Sequence, residues 1–408
     1  MKLVKNSGIF IFGEVFSKII PFLLLPYLTR KLGAEGFGEL ANIQAYIALA
    51  IVAVSLSQEG AVARYFYFYG KRSIGLVVKC GYTYSSIITI FLLLLSLSTQ
   101  NIIIFYVALT AFSQTILGVQ LSIRQCQKKA IQFVSIQIIN GLLTVLLTFF
   151  LLEFVSPTFE SRVLAIIGAN LLAFFIGFYL YRKQENFRVK LSKKNIRSGF
   201  LYIFAFGFPL VFHKLSFFLK GQLDRVFIYE KFSPEELGVY AVGFQLASVF
   251  SVLLMAINKA CVPFLYEKLK SNDVDFSMIK SWMIMSFVVV PIPALIGYLV
   301  PESIYTLIAG AEFLGIKYYS VIFLFGLGLG VPYLLLVNYL FYFGKNKYIA
   351  ICTFTSSTIY LVMLYFLLNF GIKYVPLALI ISNVFSIFLL YYCCGLNRTN
   401  AKAKNNFV

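Results

Sequence analysis

Twelve apolar stretches of helical length alternate with short polar segments along the 408 residues of the chain. A helix needs about 20 mainly apolar residues to cross the hydrocarbon core of a bilayer. The stretches predict membrane-spanning helices near residues 7–29, 40–62, 74–97, 102–123, 131–153, 162–181, 199–220, 237–258, 278–300, 317–343, 348–369 and 375–396. We therefore expect an all-α integral membrane protein with about twelve transmembrane helices and both termini on one side.

The composition agrees with this expectation, because 60% of the residues are hydrophobic and only 12% are charged. Soluble domains contain about 25% charged residues. A net charge of +19 raises nucleic-acid binding as an alternative. The Lys and Arg residues, however, lie in short gaps between the apolar stretches and form no basic domain. We expect membrane lipids, and no nucleic acid, as partners.

The distribution of Lys and Arg predicts the orientation of the chain. If the N-terminus lies inside, 25 of the 35 Lys and Arg residues fall in inner segments and 8 in outer segments, while Lys18 and Lys214 lie within spans. Cytoplasmic segments of membrane proteins carry an excess of Lys and Arg. The bias therefore places both termini in the cytoplasm.

The basic segment 182–197 divides the chain into two six-helix lobes, 1–197 and 198–408. The lobes begin alike, with Ser-Gly at residues 7–8 and 198–199, and both enter their second helix through Gly-x-x-Ala, at residues 38–41 and 238–241. Two lobes that each cross the membrane six times have the same orientation. We therefore expect a twofold axis along the membrane normal that relates the lobes, and a substrate site between them.

Glu14 and Lys18 are two charges within the first predicted span. Residues four apart share one face of a helix, and a charge at the centre of a membrane helix costs about 2.5–3.5 kcal/mol. The two charges either neutralise each other and hold two helices together, or they are a cavity-lining cation beside a titratable acid. We favour the cavity, with Glu14 as the ion-coupling residue.

His213 and Lys214 lie deep in the seventh predicted span, which corresponds to the span of Lys18 in the first lobe. His213 is either a hydrogen-bonded packing residue or part of the cavity. Lys214 either extends toward the outer interface or lines the cavity, and we favour the cavity. With Asn42 and Gln245 these residues form the predicted substrate cavity, although polar side chains in membrane helices mostly join helices.

Four charged residues lie at the predicted outer ends of the lobes: Arg30, Lys220, Asp224 and Arg225. Lys220 and Asp224 are four apart, a spacing that allows an ion pair on a continuous helix. The cluster is either an interfacial group of charges or an outer gate, and we predict the gate.

The sequence contains no recognisable catalytic constellation. His213 is the single histidine, the six Cys residues include no C-x-x-C pair, and a Walker loop is absent. The gaps between predicted spans are shorter than about 25 residues, whereas membrane enzymes of polysaccharide synthesis usually need a sizeable exposed domain. We therefore expect a non-enzyme without a metal or an organic cofactor.

Several loop motifs resemble one bacterial family. Residues 26–33 (PYLTRKLG) with the Gly-Phe-Gly of 36–38 are similar to the first outer loop of polysaccharide-unit flippases, the exporters of O-antigen and capsule repeat units. Asp224-Arg225 with residues 237–241 (LGVYA) resembles the equivalent place in their second lobe. Residues 307–310 (LIAG) with Phe313 resemble their loop before the tenth helix. These flippases belong to the multidrug/oligosaccharidyl-lipid/polysaccharide exporter superfamily.

The resemblance implies a MATE-like, V-shaped transporter with a cationic cavity in the bacterial inner membrane. It implies alternating access that moves an undecaprenyl-diphosphate-linked oligosaccharide outward, driven by H⁺ or Na⁺. A polysaccharide polymerase and a chain-length regulator are its expected protein partners. Lys18 and Lys214 agree with this function because a diphosphate requires cations.

Three other functions are weaker alternatives. A drug exporter of the same superfamily would favour acids in its cavity, because its substrates are cations. The lipid II flippase branch usually has helices beyond twelve. A membrane polysaccharide polymerase would need a longer outer loop than the segment near residues 221–236.

Overall fold

The computed structural model of the protein describes residues 20, 22–70, 74–181 and 193–405. Nearly all of these residues are helical, and no strand occurs among them. Eleven helical segments in this part of the chain are long and apolar enough to cross a membrane. The all-α membrane architecture is therefore confirmed. These segments match the second to twelfth predicted spans; the first predicted span lies mainly outside the described residues.

The helices up to the middle of the chain are α1 (Leu25–Ser55), α2 (Gln58–Phe68), α3 (Ile74–Thr99), α4 (Ile102–Cys126), α5 (Ala130–Phe154), α6 (Phe159–Tyr181) and α7 (Lys193–Gly221). The later helices are α8 (Leu223–Lys231), α9 (Pro234–Lys270), α10 (Phe276–Val289), α11 (Ile292–Leu299), α12 (Glu302–Ala309), α13 (Ile316–Gly328), α14 (Gly330–Tyr342), α15 (Asn346–Leu367) and α16 (Leu377–Asn405).

The predicted outer loop after residue 29 is instead part of α1. The helix continues through this segment and is interrupted only at Gly33, where φ is 69° and ψ is −176°. Glycine adopts such a conformation at low cost because it has no Cβ. The residues on both sides of Gly33 are helical, so the predicted loop is a kinked helical connection.

Helix α9 is longer than the predicted span of 237–258. It begins with a capping box, in which the Ser233 side chain accepts from the Glu236 backbone N–H and the Glu236 side chain accepts from the Ser233 N–H. At its other end it continues to Lys270 through a charged segment. Hydropathy marks where the hydrocarbon ends, but a helix can continue into water, so the span and the helix have different lengths.

Contacts divide the chain into two units, with the boundary between Phe218 and Leu219. The first unit has a buried cluster in which Ile203 of α7 packs with Leu56 and Val119. A second cluster in this unit joins α1, α4 and α6. Most of α7 therefore packs within the first unit. The predicted division at 197/198 rests on the sequence repeat and stays a prediction.

The second unit has its own core. Its buried cluster joins α10, α14 and α16 and includes Ile279, Leu336 and Leu390. Helix α9 packs against α13, and α15 packs against α16. An amide–amide bond also joins two helices of this unit, since Asn338 Nδ2 of α14 donates to Asn258 Oδ1 of α9 at 2.7 Å.

Candidate functional site

The second predicted span is broken in its interior. Helix α1 ends at Ser55 and α2 begins at Gln58, and between them Leu56 and Ser57 have φ values of 42° and 55°. Residues about halfway along α3 and α7 contact this break, namely Ser85 and Gly207. The break therefore lies about halfway along two helices that are membrane-spanning candidates.

Hydroxyl groups of α3 donate to two backbone carbonyls next to the break. Tyr84 Oη donates to the carbonyl of Ala53 at 2.9 Å, and Ser85 Oγ donates to the carbonyl of Val54 at 2.8 Å. Gln58 Nε2 donates to Ser85 Oγ at 2.7 Å. Unsatisfied backbone groups cost several kcal/mol in hydrocarbon, so these bonds allow an interrupted helix within a membrane span.

Lys214 of α7 lies at the same break. Its ammonium donates to Ser55 Oγ at 3.3 Å, and the backbone N–H of Ser57 also donates to this oxygen, at 3.4 Å. The carboxylate of Glu59 on α2 attracts the ammonium. Lys214 is half-buried. A cation and a hydroxyl therefore meet at the interrupted helix, and an acid lies nearby at the start of α2.

A second cation lies further along α2. The Arg64 guanidinium is exposed and lies 5.4 Å from the ring centroid of Phe68 and 5.8 Å from that of Phe206. Tyr202 Oη of α7 donates to the carbonyl of Ala61 at 3.2 Å. Aromatic faces attract cations, so the rings hold the guanidinium at the junction of α2 and α7.

The remaining predicted cavity residues have different surroundings. Glu14 and Lys18 lie outside the described residues, so their pairing stays a prediction. His213 is exposed and its ring packs edge-on against Phe217, with centroids 4.9 Å apart. Asn42 is buried and its Oδ1 has no hydrogen-bond partner among the described residues. Gln245 is half-buried on α9 of the second unit.

The predicted gate residues Lys220, Asp224 and Arg225 have partners within the second unit. Lys220 Nζ donates to Ser356 Oγ at 2.9 Å, and Tyr240 Oη donates to the Asp224 carboxylate. Asp224 and Arg225 are buried. Lys220 and Asp224 lie on separate helices, because α7 ends at Gly221 and α8 begins at Leu223. The two side chains therefore do not lie one turn apart on a continuous helix.

Arg225 is the third of these residues. It donates to the carbonyl of Gly221 at 3.1 Å and to Gln222 Oε1, and it lies 5.0 Å from the Phe244 ring centroid. Arg30, the fourth predicted gate residue, is exposed on α1 of the first unit. The role of these four residues as a gate stays a prediction.

Two buried arginines were not identified from the sequence as candidates. Arg124 has no exposed surface, and Arg162, which is also buried, donates to Thr148 Oγ1. The positive-inside count places both in loops, but α4 and α6 include them. For Arg124 the sequence contained one signal: Gln120 lies four residues earlier, on the same helical face.

Comparisons with known proteins agree with this architecture. A family model described as polysaccharide biosynthesis protein matches residues 3–269. A Haemophilus influenzae protein named Lsg locus putative protein 1 is 48% identical over 96% of this chain and 98% of its own length. A second membrane protein of Haemophilus influenzae is 46% identical, covering 96% of each chain.

Two solved structures have a similar fold at low identity. One is an inward-facing multidrug resistance MATE family transporter of the MOP superfamily, with a TM-score of 0.69 and 14% identity over 93% of this chain and 95% of that one. The other is the lipid II flippase MurJ in an inward closed conformation, with a TM-score of 0.67 and 14% identity over 94% of this chain and 87% of that one. The MATE-like fold is therefore confirmed.

Proposed function

This chain belongs to the polysaccharide biosynthesis protein family, and we propose that it is a flippase for undecaprenyl-diphosphate-linked oligosaccharide repeat units. It works in the bacterial inner membrane by alternating access, with both termini in the cytoplasm. It performs no covalent chemistry. A polysaccharide polymerase and a chain-length regulator are its proposed partners in the membrane.

The position of Lys214 is the observation that carries this proposal. Its ammonium donates to Ser55 at an interruption within a membrane-spanning candidate. A charge within a membrane helix is costly and marks a pathway or a site in membrane proteins. A diphosphate group is the part of a lipid-linked sugar that needs a cation, while the polyprenyl chain can remain in lipid.

The main alternative is a multidrug antiporter, which has the same fold. Cationic drugs would meet Lys214 and, further along, Arg64, and both would repel them. Glu59 is an acid at the same place and partly offsets this repulsion. The balance of charge on α2 and α7 therefore favours an anionic cargo.

A proton or sodium gradient is the proposed source of energy. Glu14 is the proposed coupling acid, since a carboxylate within a membrane helix can bind either ion. In vesicles, an imposed pH gradient and an imposed Na⁺ gradient should differ in their effect on the transport rate. Equal rates with and without each gradient would contradict ion coupling.

Replacement of Lys214 tests the proposed function. Purified protein in vesicles should move a fluorescent undecaprenyl-diphosphate-linked saccharide between leaflets, which a membrane-impermeant quencher detects. Lys214→Ala should slow this movement roughly ten- to hundredfold, because a hydrogen bond to a charged group contributes about 1.5–3 kcal/mol. Lys214→Arg should retain more activity than Lys214→Ala, since it keeps the charge.

Lys194→Ala is the matched control, because Lys194 is an exposed lysine near the start of the same helix. It should leave the transport rate unchanged. If wild-type vesicles export a cationic dye and do not move the lipid-linked saccharide, the antiporter is the better assignment. Equal saccharide transport by wild type and Lys214→Ala would remove Lys214 from the mechanism.

A further inference from the structure

Two residues in the break between α1 and α2 have a backbone conformation that side chains disfavour. Leu56 and Ser57 both have positive φ. In the described part of the chain, the other non-glycine residues with positive φ are Gln100, Lys128 and Asn272, which lie in connections between helices. Two consecutive residues with left-handed backbone conformation within a membrane-spanning candidate are therefore unusual in this protein. Surrounding contacts must stabilise this conformation.

The contacts that hold the break come from α3 and α7. Tyr84 and Ser85 bind the two carbonyls before it, and Lys214 binds Ser55. Helix α7 also approaches closely, since a Cβ added to Gly207 would lie 2.2 Å from the carbonyl oxygen of Leu56. The broken form is thus stabilised by α3 and α7, together with the local bond from the Ser57 N–H to Ser55 Oγ.

The same carbonyls have other partners available in a continuous helix. An α-helical N–H donates to the carbonyl four residues earlier. The carbonyls of Ala53 and Val54 would then accept from the N–H groups of Ser57 and Gln58. Straightening would exchange the two hydroxyl bonds for two helical bonds and would return Leu56 and Ser57 to helical φ. The two forms therefore satisfy the same backbone carbonyls.

We propose that residues 56–57 are a hinge with a second, continuous-helix state, and that the Lys214–Ser55 hydrogen bond favours the broken state until the ammonium binds an anionic group of the cargo. A diphosphate that draws Lys214 away from Ser55 removes one of the contacts that hold the break. A ligand shifts such an equilibrium by its different affinity for the two states. The identity of the cargo rests on the proposed function, whereas the hinge does not.

Distance measurements between two spin labels test the hinge in the full-length protein. Labels at Leu49 and Tyr67, both exposed, lie on the two sides of the break. Eighteen residues of continuous helix span about 27 Å, and the broken form should give a different distance. The six native cysteines are first replaced, in a background that keeps the thermal unfolding midpoint of the wild-type protein.

Variants at the break should shift the two populations in opposite directions. Ser57→Gly should favour the broken form about five- to thirtyfold, because glycine adopts positive φ freely. Ser57→Val should favour the continuous form, since a β-branched residue disfavours positive φ. Ser55→Ala should act like Ser57→Val, because it removes the acceptor of both Lys214 and the Ser57 N–H. Added undecaprenyl diphosphate should shift the wild-type protein toward the continuous form.

Ala50→Gly is the control for added glycine flexibility in α1 and should leave the ratio of distances unchanged. A single distance in wild type, in all three variants and with undecaprenyl diphosphate would overturn the hinge, whatever the transport rate. If the protein shows two distances whose populations the variants shift, but moves no lipid-linked saccharide, the hinge is supported and the flippase proposal is contradicted. The two inferences can therefore fail separately.

Discussion

At the scale of single residues, the buried Asp224 carboxylate depends on tyrosines. Asp224 lies in the first turn of the short helix α8 and is buried. Tyr240 Oη donates to it from α9, and Tyr360 of α15 lies close to it. An ionised side chain is costly in a low-dielectric interior unless hydrogen bonds compensate it. These tyrosines therefore connect three helices of the second unit through one carboxylate.

Tyr240→Phe should lower the free energy of unfolding by about 1.5–3 kcal/mol, because the variant leaves a buried carboxylate with one hydrogen bond fewer. A thermal unfolding curve of the protein in detergent measures the change. Tyr365→Phe is the matched control, since Tyr365 is an exposed tyrosine on α15. If the two variants unfold at the same temperature, the Tyr240–Asp224 bond contributes nothing to stability.

The sequence identifies these charges but not their partners. Spacing pairs Lys220 with Asp224, whereas a helix boundary separates them, Lys220 binds Ser356, and Asp224 accepts from Tyr240. The predicted membrane depth of Lys214 stays a prediction, and its partner Ser55 is 159 residues away in the chain. A single sequence contains no signal for such a contact, because it depends on how helices pack.

At the scale of helices, hydropathy predicts the spans and fails at their interruptions. Eleven spans agree in position because a bilayer imposes a fixed length on apolar segments. The break at Leu56 and Ser57 contains neither Gly nor Pro, so no local residue indicates it. Hydroxyls of α3 stabilise it from outside the segment. Conversely, Gly33 does interrupt its helix, as its residue type allows.

The close contact between α7 and the break predicts the effect of Gly207→Ala. The added methyl group would lie 2.2 Å from Leu56 O and 2.7 Å from Leu56 Cγ, so α7 must move away. Overpacking of this kind costs typically about 1–3 kcal/mol. Gly207→Ala should therefore lower both the thermal midpoint and the rate of lipid-linked saccharide transport.

Gly221→Ala is a stringent control for this prediction. It makes the same chemical change at the end of the same helix, where an added Cβ meets nothing within 4 Å. The control should keep the wild-type midpoint and rate. Equal behaviour of the two variants would show that α7 tolerates a shift at Gly207 and that its contact with Leu56 is not needed.

At the scale of the whole molecule, the charge distribution predicts orientation, and one thiol allows this to be measured. Cys261 is exposed, whereas Cys80, Cys126, Cys352 and Cys394 are buried. It lies 27 residues after the start of α9, or about 40 Å along the helix, beyond a hydrocarbon core of about 30 Å. The excess of Lys and Arg in inner segments places this end of α9 in the cytoplasm.

A membrane-impermeant maleimide should therefore label inverted inner-membrane vesicles and not intact spheroplasts. Cys261→Ser should abolish the labelling, which excludes a contribution from Cys393, a half-buried thiol. If intact spheroplasts are labelled and Cys261→Ser removes this labelling, the orientation is the opposite of the predicted one. Lys214 would then approach its cargo from the opposite leaflet. The direction of the proposed transport therefore depends on the side on which this thiol reacts.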